Sequence, residues 1–268
     1  MPFADKLADS LIFRRIVKSM RIPDLITAWF RCFPKVVALP PYGIKYRVRA
    51  FEALLVEREI YTSDFYANVE NISEIETIAD LGCNRGLFSA FISSQTRLGR
   101  GVRGLMVDAD AAMAEDCNWI ITENGMNGLC FTQGAAGVES EDGFVTFEIA
   151  ATDVGSHVAF DAAGPNAGEK TKKARVPVLK INDLWMGHVG GDQRCHLLKV
   201  DIEGAERDFF RIEHSFLTLV DQIIVEIHHY FADPERVLSE AKSAGFEVRQ
   251  HKTVAEDVSI AHLVRIPQ

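Results

Sequence analysis

The stretch Thr77-Ile78-Ala79-Asp80-Leu81-Gly82-Cys83-Asn84-Arg85-Gly86-Leu87-Phe88-Ser89 limits what this chain can fold into more than any other. Ile78, Ala79 and Leu81 make a short apolar run, as expected of a strand covered on both faces in a parallel sheet. Gly82 and Gly86 follow where a tight turn needs positive φ, and they let a ligand approach the backbone. Ser89-Ala90-Phe91-Ile92 continues as helix. A strand, a turn and a helix start in this order are expected to present free N–H groups to a ligand.

The spacing narrows the choice of ligand. A dinucleotide fingerprint needs a third glycine, and here Leu87 follows Gly86. A Walker loop needs Gly-Lys-Ser/Thr, which is absent. Asp80, Gly82, Asn84 and Gly86 form D-x-G-x-N-x-G, whose extra carboxylate suits a ligand with a cationic end. S-adenosylmethionine, with an ammonium and a sulfonium, is such a ligand. The bland alternative is a generic strand-to-helix turn.

Length and charge set further bounds. A chain of 268 residues with 47% apolar content can bury one large α/β core with an N-terminal addition. The net charge of −9 argues against a general nucleic-acid binder. That charge is uneven, +7 over residues 1–50 and −16 over the rest. The five cysteines are scattered, with no C-x-x-C pair for zinc, and a reducing cytoplasm is the simplest expectation. No apolar run is long enough for a membrane span, and no signal peptide is evident.

In chain order, Phe3, Leu7, Leu11, Ile12, Val17 and Met20 fall at helical spacing. Arg14, Arg15, Lys18 and Arg21 gather toward the end of that helix, and Pro23 closes it. Asp24 caps a second helix over 25–33. The arm, residues 1–43, suits a cover docked on the core or a second subunit, or contact with a membrane surface or acidic glycan. Pro40 to Gly43 reads as a turn, 44–51 as a half-exposed strand, and 53–66 as a helix whose Glu57, Glu59, Tyr61 and Tyr66 precede the central strand. Residues 102–108 form a second strand ending at Asp108, where a carboxylate can accept both hydroxyls of a ribose. Asp110 caps the following helix over 111–123.

A third strand over 128–132 leads to Gln133-Gly134-Ala135-Ala136-Gly137, small enough for an adenine, with Gln133 as a hydrogen-bonding partner. Residues 144–149 alternate like an edge strand, 150–173 read as a loop, 176–179 as a short strand, and 182–185 as a helix start. His196 to Asp201 is a fourth core strand and Gln222 to His229 a fifth. Alternation puts Lys199 with Asp201 on one face, and Glu226 with His228 on one face. If the two strands are parallel neighbours, Lys199 can pair with Glu226, and Asp201 and His228 reach the C-terminal rim. A helix over 234–244 and two antiparallel strands over 246–254 and 258–266 finish the chain.

This order resembles the class I S-adenosylmethionine-dependent methyltransferases: α/β, with a Rossmann-like, seven-stranded, mostly parallel sheet, helices on both faces and one antiparallel strand. Asp80-Leu81-Gly82-Cys83-Asn84-Arg85-Gly86, then Lys199-Val200-Asp201-Ile202-Glu203-Gly204-Ala205-Glu206, then Val225-Glu226-Ile227-His228 are similar to the FkbM methyltransferases. The resemblance spans about residues 45–265. It implies a methyltransferase domain over 44–268 with an insertion over about 143–180, S-adenosylmethionine as cofactor, and usually O-methylation of a sugar, glycolipid or secondary metabolite. The family often carries Glu-Pro where this chain has Asp108-Ala109. The cofactor set is then Asp80, Gly82, Asn84, Gly86, Asp108, Ala109, Gln133, Gly134 and Ala135.

In-line methyl transfer needs an aligned, deprotonated nucleophile. His228 is the first candidate base, because an imidazole titrates near neutrality. Asp201 is the second, or orients the acceptor. Glu203 holds acceptor hydroxyls, while Lys199 and Glu226 complete the catalytic set. His229 points to the other face. Asp201, Glu226 and His228 also offer donors for Mg²⁺, but the Lys199 cation opposes a metal, and none is assigned. A scaffold protein with this fold is a rival reading, weakened by the intact Asp80, Gly82, Gly86 and Asp108. An NAD-dependent oxidoreductase is disfavoured by the missing third glycine.

Overall fold

The computed structural model describes residues 22–49, 51–62, 64–67, 69–149, 157–158 and 172–267. The helix expected over 3–20 lies outside them. The first helix, α1 (Ile22–Cys32), takes in Pro23 and Asp24. Asp24 is therefore no cap: proline fits a helix's first turn, where its missing N–H costs nothing. A hairpin follows, β1 (Lys35–Leu39) against β2 (Ile44–Val48), turning at Pro40–Gly43. Ile44, Tyr46 and Val48 are buried and Lys45 is exposed, the alternation the sequence shows. The strand β1 is largely exposed, so it carries little pattern to read. Helices α2 (Phe51–Thr62) and α3 (Asp64–Ala67) lead to the sheet.

The main sheet contains β3 (Thr77–Leu81), β4 (Arg103–Asp108), β5 (Leu129–Gln133), β9 (Cys195–Val200), β10 (Val220–His228), β11 (Phe246–Ala255) and β12 (Val258–Arg265). Its order is β5-β4-β3-β9-β10-β12-β11, and β12 alone runs against the others. The chain leaves β3 on one side for β4 and β5, then returns on its other side as β9 and β10. The reversal places a crevice beyond the C-terminal ends of β3 and β9, where open α/β sheets bind ligands.

Both faces of the sheet are covered, as the apolar strands require. One face carries Ile78, Met106 and Leu197 under α4 (Leu87–Gln95), α5 (Ala114–Asn124) and the hairpin. The other carries Leu81, Val107 and Val200 under α6 (Ile181–His188), α7 (Glu206–Ile212), α8 (His214–Leu217) and α9 (Pro234–Ser243). Asp110 caps a short 3-10 turn before α5, accepting the N–H of Ala112, and Gly125 ends α5 in the left-handed conformation.

A second sheet corrects the reading of the insertion. β6 (Phe144–Ile149) is its middle strand, between β7 (His157–Val158) and β8 (Lys172–Pro177), not an edge. Of the expected 150–173 loop, 157–158 pair with β6 and β8 begins at Lys172; the rest lies outside the described residues. Pro177 ends the edge strand β8, where its missing donor breaks no ladder. Helix α6 runs on to His188, beyond Trp185, whose indole donates to the Gln193 carbonyl.

Candidate functional site

The turn after β3 is built by glycine. Gly82 has φ +73°, and a Cβ there would fall inside the Asp201 carbonyl oxygen. Gly86, at φ +76°, is the residue before α4, and a Cβ there would strike Met106. The expectation of free N–H groups fails at this turn. Those of Gly82 and Cys83 both donate to the Val107 carbonyl at 2.9 Å. Asn84 donates to Asp108 Oδ2, Arg85 to Asn84 Oδ1, and Gly86 to the Cys83 carbonyl. With these donors spent inside the protein, the turn offers no cradle for a phosphate, and what faces the crevice is acceptor-rich.

Asp80 also departs from its expected place. It is fully buried beneath the turn, accepts from the Ser89 hydroxyl at 2.7 Å, and does not line the crevice. Burial pushes its pKa up, against the opposing pull of Lys199 and Ser89. Gly86 and Gln133 stand back as well: Gly86 shapes the turn, and the exposed Gln133 donates to the Ala109 carbonyl at 3.3 Å.

Gly82, Asn84, Asp108, Ala109, Gly134 and Ala135 do line one cleft, joined by Val107, Met113, Ala136 and Phe147. Its small and apolar walls form a slot fit for a flat ring. The half-buried Asp108 stands at its edge, accepting from Asn84 N on Oδ2 and Asp110 N on Oδ1, each at 2.8 Å. A carboxylate offers about four lone-pair sites, so one remains on each oxygen for a ligand hydroxyl. Burial pushes the Asp108 pKa up to about 7, although both backbone bonds pull the other way. These acceptors fit an adenosine ribose, and the acids further along fit an ammonium.

A second chamber adjoins this cleft and shares Gly82, Asn84, Asp201 and Glu203 with it. Lys199, Glu226 and His228 also line it, so the five expected catalytic residues meet there, beside Tyr66, Phe88, Tyr230 and Phe231. The parallel pairing of β9 and β10 brings them together. The partner of Lys199 is mainly Asp201, at 2.8 Å, with the Gly82 carbonyl at 3.1 Å and Asp80, its cross-strand register partner, at 3.9 Å. Glu226 acts on it as a more distant charge. Register explains the correction: Asp201 lies two residues on along the same face, and Asp80 directly opposite. Burial disfavours the Lys199 cation, but Asp201 and Asp80 outweigh it and raise its pKa. Asp201 is in turn held below its ordinary range: burial opposes this, and Lys199 and His228 prevail.

His228 is ringed by acids. Its Nε2 lies 3.4 Å from Glu203 and 3.9 Å from both Asp201 and Glu226. Its Nδ1 lies 2.8 Å from Glu206 Oε1. Burial pushes the imidazole down, yet Glu203, Glu206 and Glu226 together hold its pKa well above the ordinary value. His229 faces away and bonds Ser259 at 3.0 Å. Donor atoms of Asp201, Glu203 and His228 lie within 4.8 Å of one another, a triad with Glu203 in the expected place of Glu226. The Lys199 ammonium already supplies Asp201 with the charge a cation would bring. Tyr61 and Glu57, ahead of β3, serve packing: Tyr61 stacks on Tyr46, and Glu57 takes Lys35 and the Tyr46 hydroxyl.

Sequence reasoning missed Glu206, Ser89 and Phe147. Glu206 stands in the Lys-x-Asp-x-Glu-Gly-x-Glu run, which was the signal available. Phe147 lies in an insertion strand whose contact with the cleft has no local pattern.

The family model described as "Methyltransferase FkbM domain" matches residues 80–248. "Methyltransferase 1" of Beauveria bassiana (strain ARSEF 2860) is 33% identical over 81 residues, 30% of this chain and 32% of that protein; the match thus spans about a third of the relative's length. Among solved structures, the Methanococcus jannaschii fibrillarin pre-rRNA processing protein is 9% identical, over 87% of this chain and 82% of that one, with TM-score 0.49. Magnesium protoporphyrin IX methyltransferase (ChlM) from Synechocystis PCC 6803 with bound SAM is 11% identical, over 96% and 99%, with TM-score 0.47. The family match takes in the Gly turn, the Lys199–Glu206 run and His228, and the chain belongs to the FkbM methyltransferase family.

Proposed function

We propose that this methyltransferase uses S-adenosylmethionine to O-methylate a hydroxyl on a sugar, glycolipid or secondary metabolite. The observation that carries this reading is the shared wall of cleft and chamber, Gly82, Asn84, Asp201 and Glu203, with His228 just beyond it. When bound, the cofactor supplies a sulfonium methyl, whose carbon–sulfur bond breaks with its electron pair left on sulfur as the acceptor oxygen bonds to carbon.

The residues then divide the work. Asp108 accepts the ribose hydroxyls, and Gly134 and Ala135 flank the adenine. Asp201 and Glu203 accept hydrogen bonds from the ammonium and from acceptor hydroxyls. His228 Nε2 takes the acceptor's proton, and the surrounding carboxylates stabilise the imidazolium that forms. The resting imidazolium must first lose its own proton, because its pKa is raised. Activity therefore climbs with pH above neutrality and is lost as pH falls through the His228 value.

Acceptor choice belongs to the small sheet and the arm. Phe147 of β6 enters the cleft, and His157 of β7 packs 5.1 Å from Phe231 of the chamber. We take 44–268 as the methyltransferase domain with its 143–180 insertion, and 1–43 as an arm whose strand β1 pairs with β2 of that domain and which offers contact to a second copy or a membrane surface. The compartment proposed is the cytoplasm, where the free thiols stay reduced. No described helix is long and apolar enough to cross a membrane.

The test is transfer of tritiated methyl from S-adenosylmethionine to a panel of sugars, glycosides, lipid-linked sugars and amines. Label in hydroxyl acceptors, lowered about 10²–10⁴-fold by His228→Asn with S-adenosylhomocysteine binding retained, supports the reading. Label confined to amines overturns it.

A further inference from the structure

Glu206 opens α7 and is fully buried, a costly place for a carboxylate unless every lone pair is used. It is used three ways. Oε1 faces His228 Nδ1 at 2.8 Å and accepts the Ile202 N–H at 3.3 Å, while Oε2 accepts the Gly204 N–H at 2.6 Å. Ile202 and Gly204 flank Glu203, which holds φ +49°, a left-handed conformation that a residue with a Cβ adopts only under constraint. One buried carboxylate thus grips both the imidazole and the two peptides that aim Glu203.

From this geometry we infer that Glu206 is the positioning residue of the site, fixing the tautomer and aim of His228 and the pose of Glu203. The inference rests on the reading of His228 as the base. An ionised carboxylate only accepts, so Nδ1 carries the hydrogen and Nε2 becomes the lone-pair nitrogen once the imidazolium gives up its second proton. Nε2 is also the nitrogen turned toward Glu203, Asp201 and Glu226 in the chamber. The same carboxylate stabilises the imidazolium whenever the acceptor's proton arrives. Glu206 itself lines neither cleft nor chamber, so it acts through His228 and Glu203 and not on the acceptor.

Four acids from three places face His228. They are Asp201 and Glu203 after β9, Glu206 on α7, and Glu226 on its own strand, with the Lys199 cation beyond Asp201. Removing the Glu206 charge leaves Glu203 and Glu226 in place, so His228 keeps part of its upward shift in Glu206→Gln. Its pKa falls, though, and an amide NH₂ can turn toward Nδ1. That favours the neutral tautomer with its hydrogen on Nε2, which cannot accept a proton there.

The test is ring-nitrogen NMR of His228 across pH in wild type and Glu206→Gln, read alongside steady-state kinetics and S-adenosylhomocysteine titration. Wild type should show Nδ1 hydrogen-bonded and protonated throughout. Glu206→Gln should lower the His228 pKa, move hydrogen to Nε2, and cut kcat about 10²–10⁴-fold with little change in the KM for S-adenosylmethionine. Its acid limb in the pH–rate profile should move to lower pH, and Glu206→Asp should recover part of kcat. An unchanged tautomer, pKa and kcat in Glu206→Gln overturns the inference. If that variant does not fold, wild type alone decides: a neutral His228 at pH 7 with its hydrogen on Nε2 overturns it. The NMR needs no acceptor, so a failed methyl-transfer reading and a failed Glu206 role give different results.

Discussion

Asp108 allows the cofactor reading to be tested by pH alone. Each of its oxygens already accepts one backbone N–H, at 2.8 Å, and keeps one lone pair for a ribose hydroxyl. Burial raises its pKa to about 7, with the Asp110 charge adding to the rise and the two N–H groups resisting it. Ribose hydroxyls donate best to the ionised form, so binding favours loss of the proton. Affinity is then full above pH 7 and falls as pH drops below it. At pH 6 about one molecule in eleven is ionised, so S-adenosylhomocysteine binds about tenfold more weakly, ~1.4 kcal/mol, and about a hundredfold more weakly at pH 5. Without ligand, the folded chain holds this proton more tightly than the unfolded chain. The Asp108 contribution to stability therefore declines as pH rises from roughly 4 to 7. Asp108→Asn removes the charge-assisted bonds, weakening binding about 10- to 100-fold at pH 8 and flattening the slope. Calorimetric titration between pH 5.5 and 8.5 measures both. Glu213, raised to about 7 by burial, titrates in the same window, so the difference between wild type and Asp108→Asn isolates Asp108. A flat wild-type profile, or an unchanged slope in the variant, refutes the reasoning.

Three further outcomes follow from the same geometry. Gly82→Ala adds a clash with the Asp201 carbonyl to a left-handed penalty and should cost at least about 3 kcal/mol in urea unfolding, whereas Gly43→Ala, at φ +64° with open space around it, should cost about 1–2 kcal/mol. Equal costs would count against the Gly82–Asp201 contact. Lys199→Met strands Asp80 and Asp201 without their cation and should cost about 3–5 kcal/mol at pH 7.5, less at pH 5 where the acids take up protons; a deficit under about 1 kcal/mol contradicts the pairing. Methyl transfer should persist in EDTA, because Lys199 supplies the charge beside Asp201; a tenfold loss restored by Mg²⁺ or Mn²⁺ would reinstate the metal reading.

The centre of the main sheet was legible because β3, β4, β9 and β10 are largely buried and carry chemically distinct residues at or near their C-terminal ends, Asp80, Asp108, Asp201 and His228. Exposed strands were not: β1 carries no alternation, and β6 reads the same at an edge as in the middle of a small sheet. At the site, sequence spacing brought Lys199, Asp201, Glu226 and His228 to one rim. It could not show where hydrogen bonds go. The Gly82 and Cys83 donors are spent on Val107, a residue of the neighbouring strand, and Asp80 is sealed beneath by Ser89. Glu206 lies 22 residues from His228, and only the β9–β10 pairing brings the two together.

The most direct test is equilibrium titration of the full chain at pH 8 with S-adenosylmethionine, S-adenosylhomocysteine and NAD. One saturable site for the first two, absent for NAD and lost in Asp108→Ala, is the expected result. Well-folded protein that binds neither S-adenosyl compound, or that binds NAD in their place, would contradict the account.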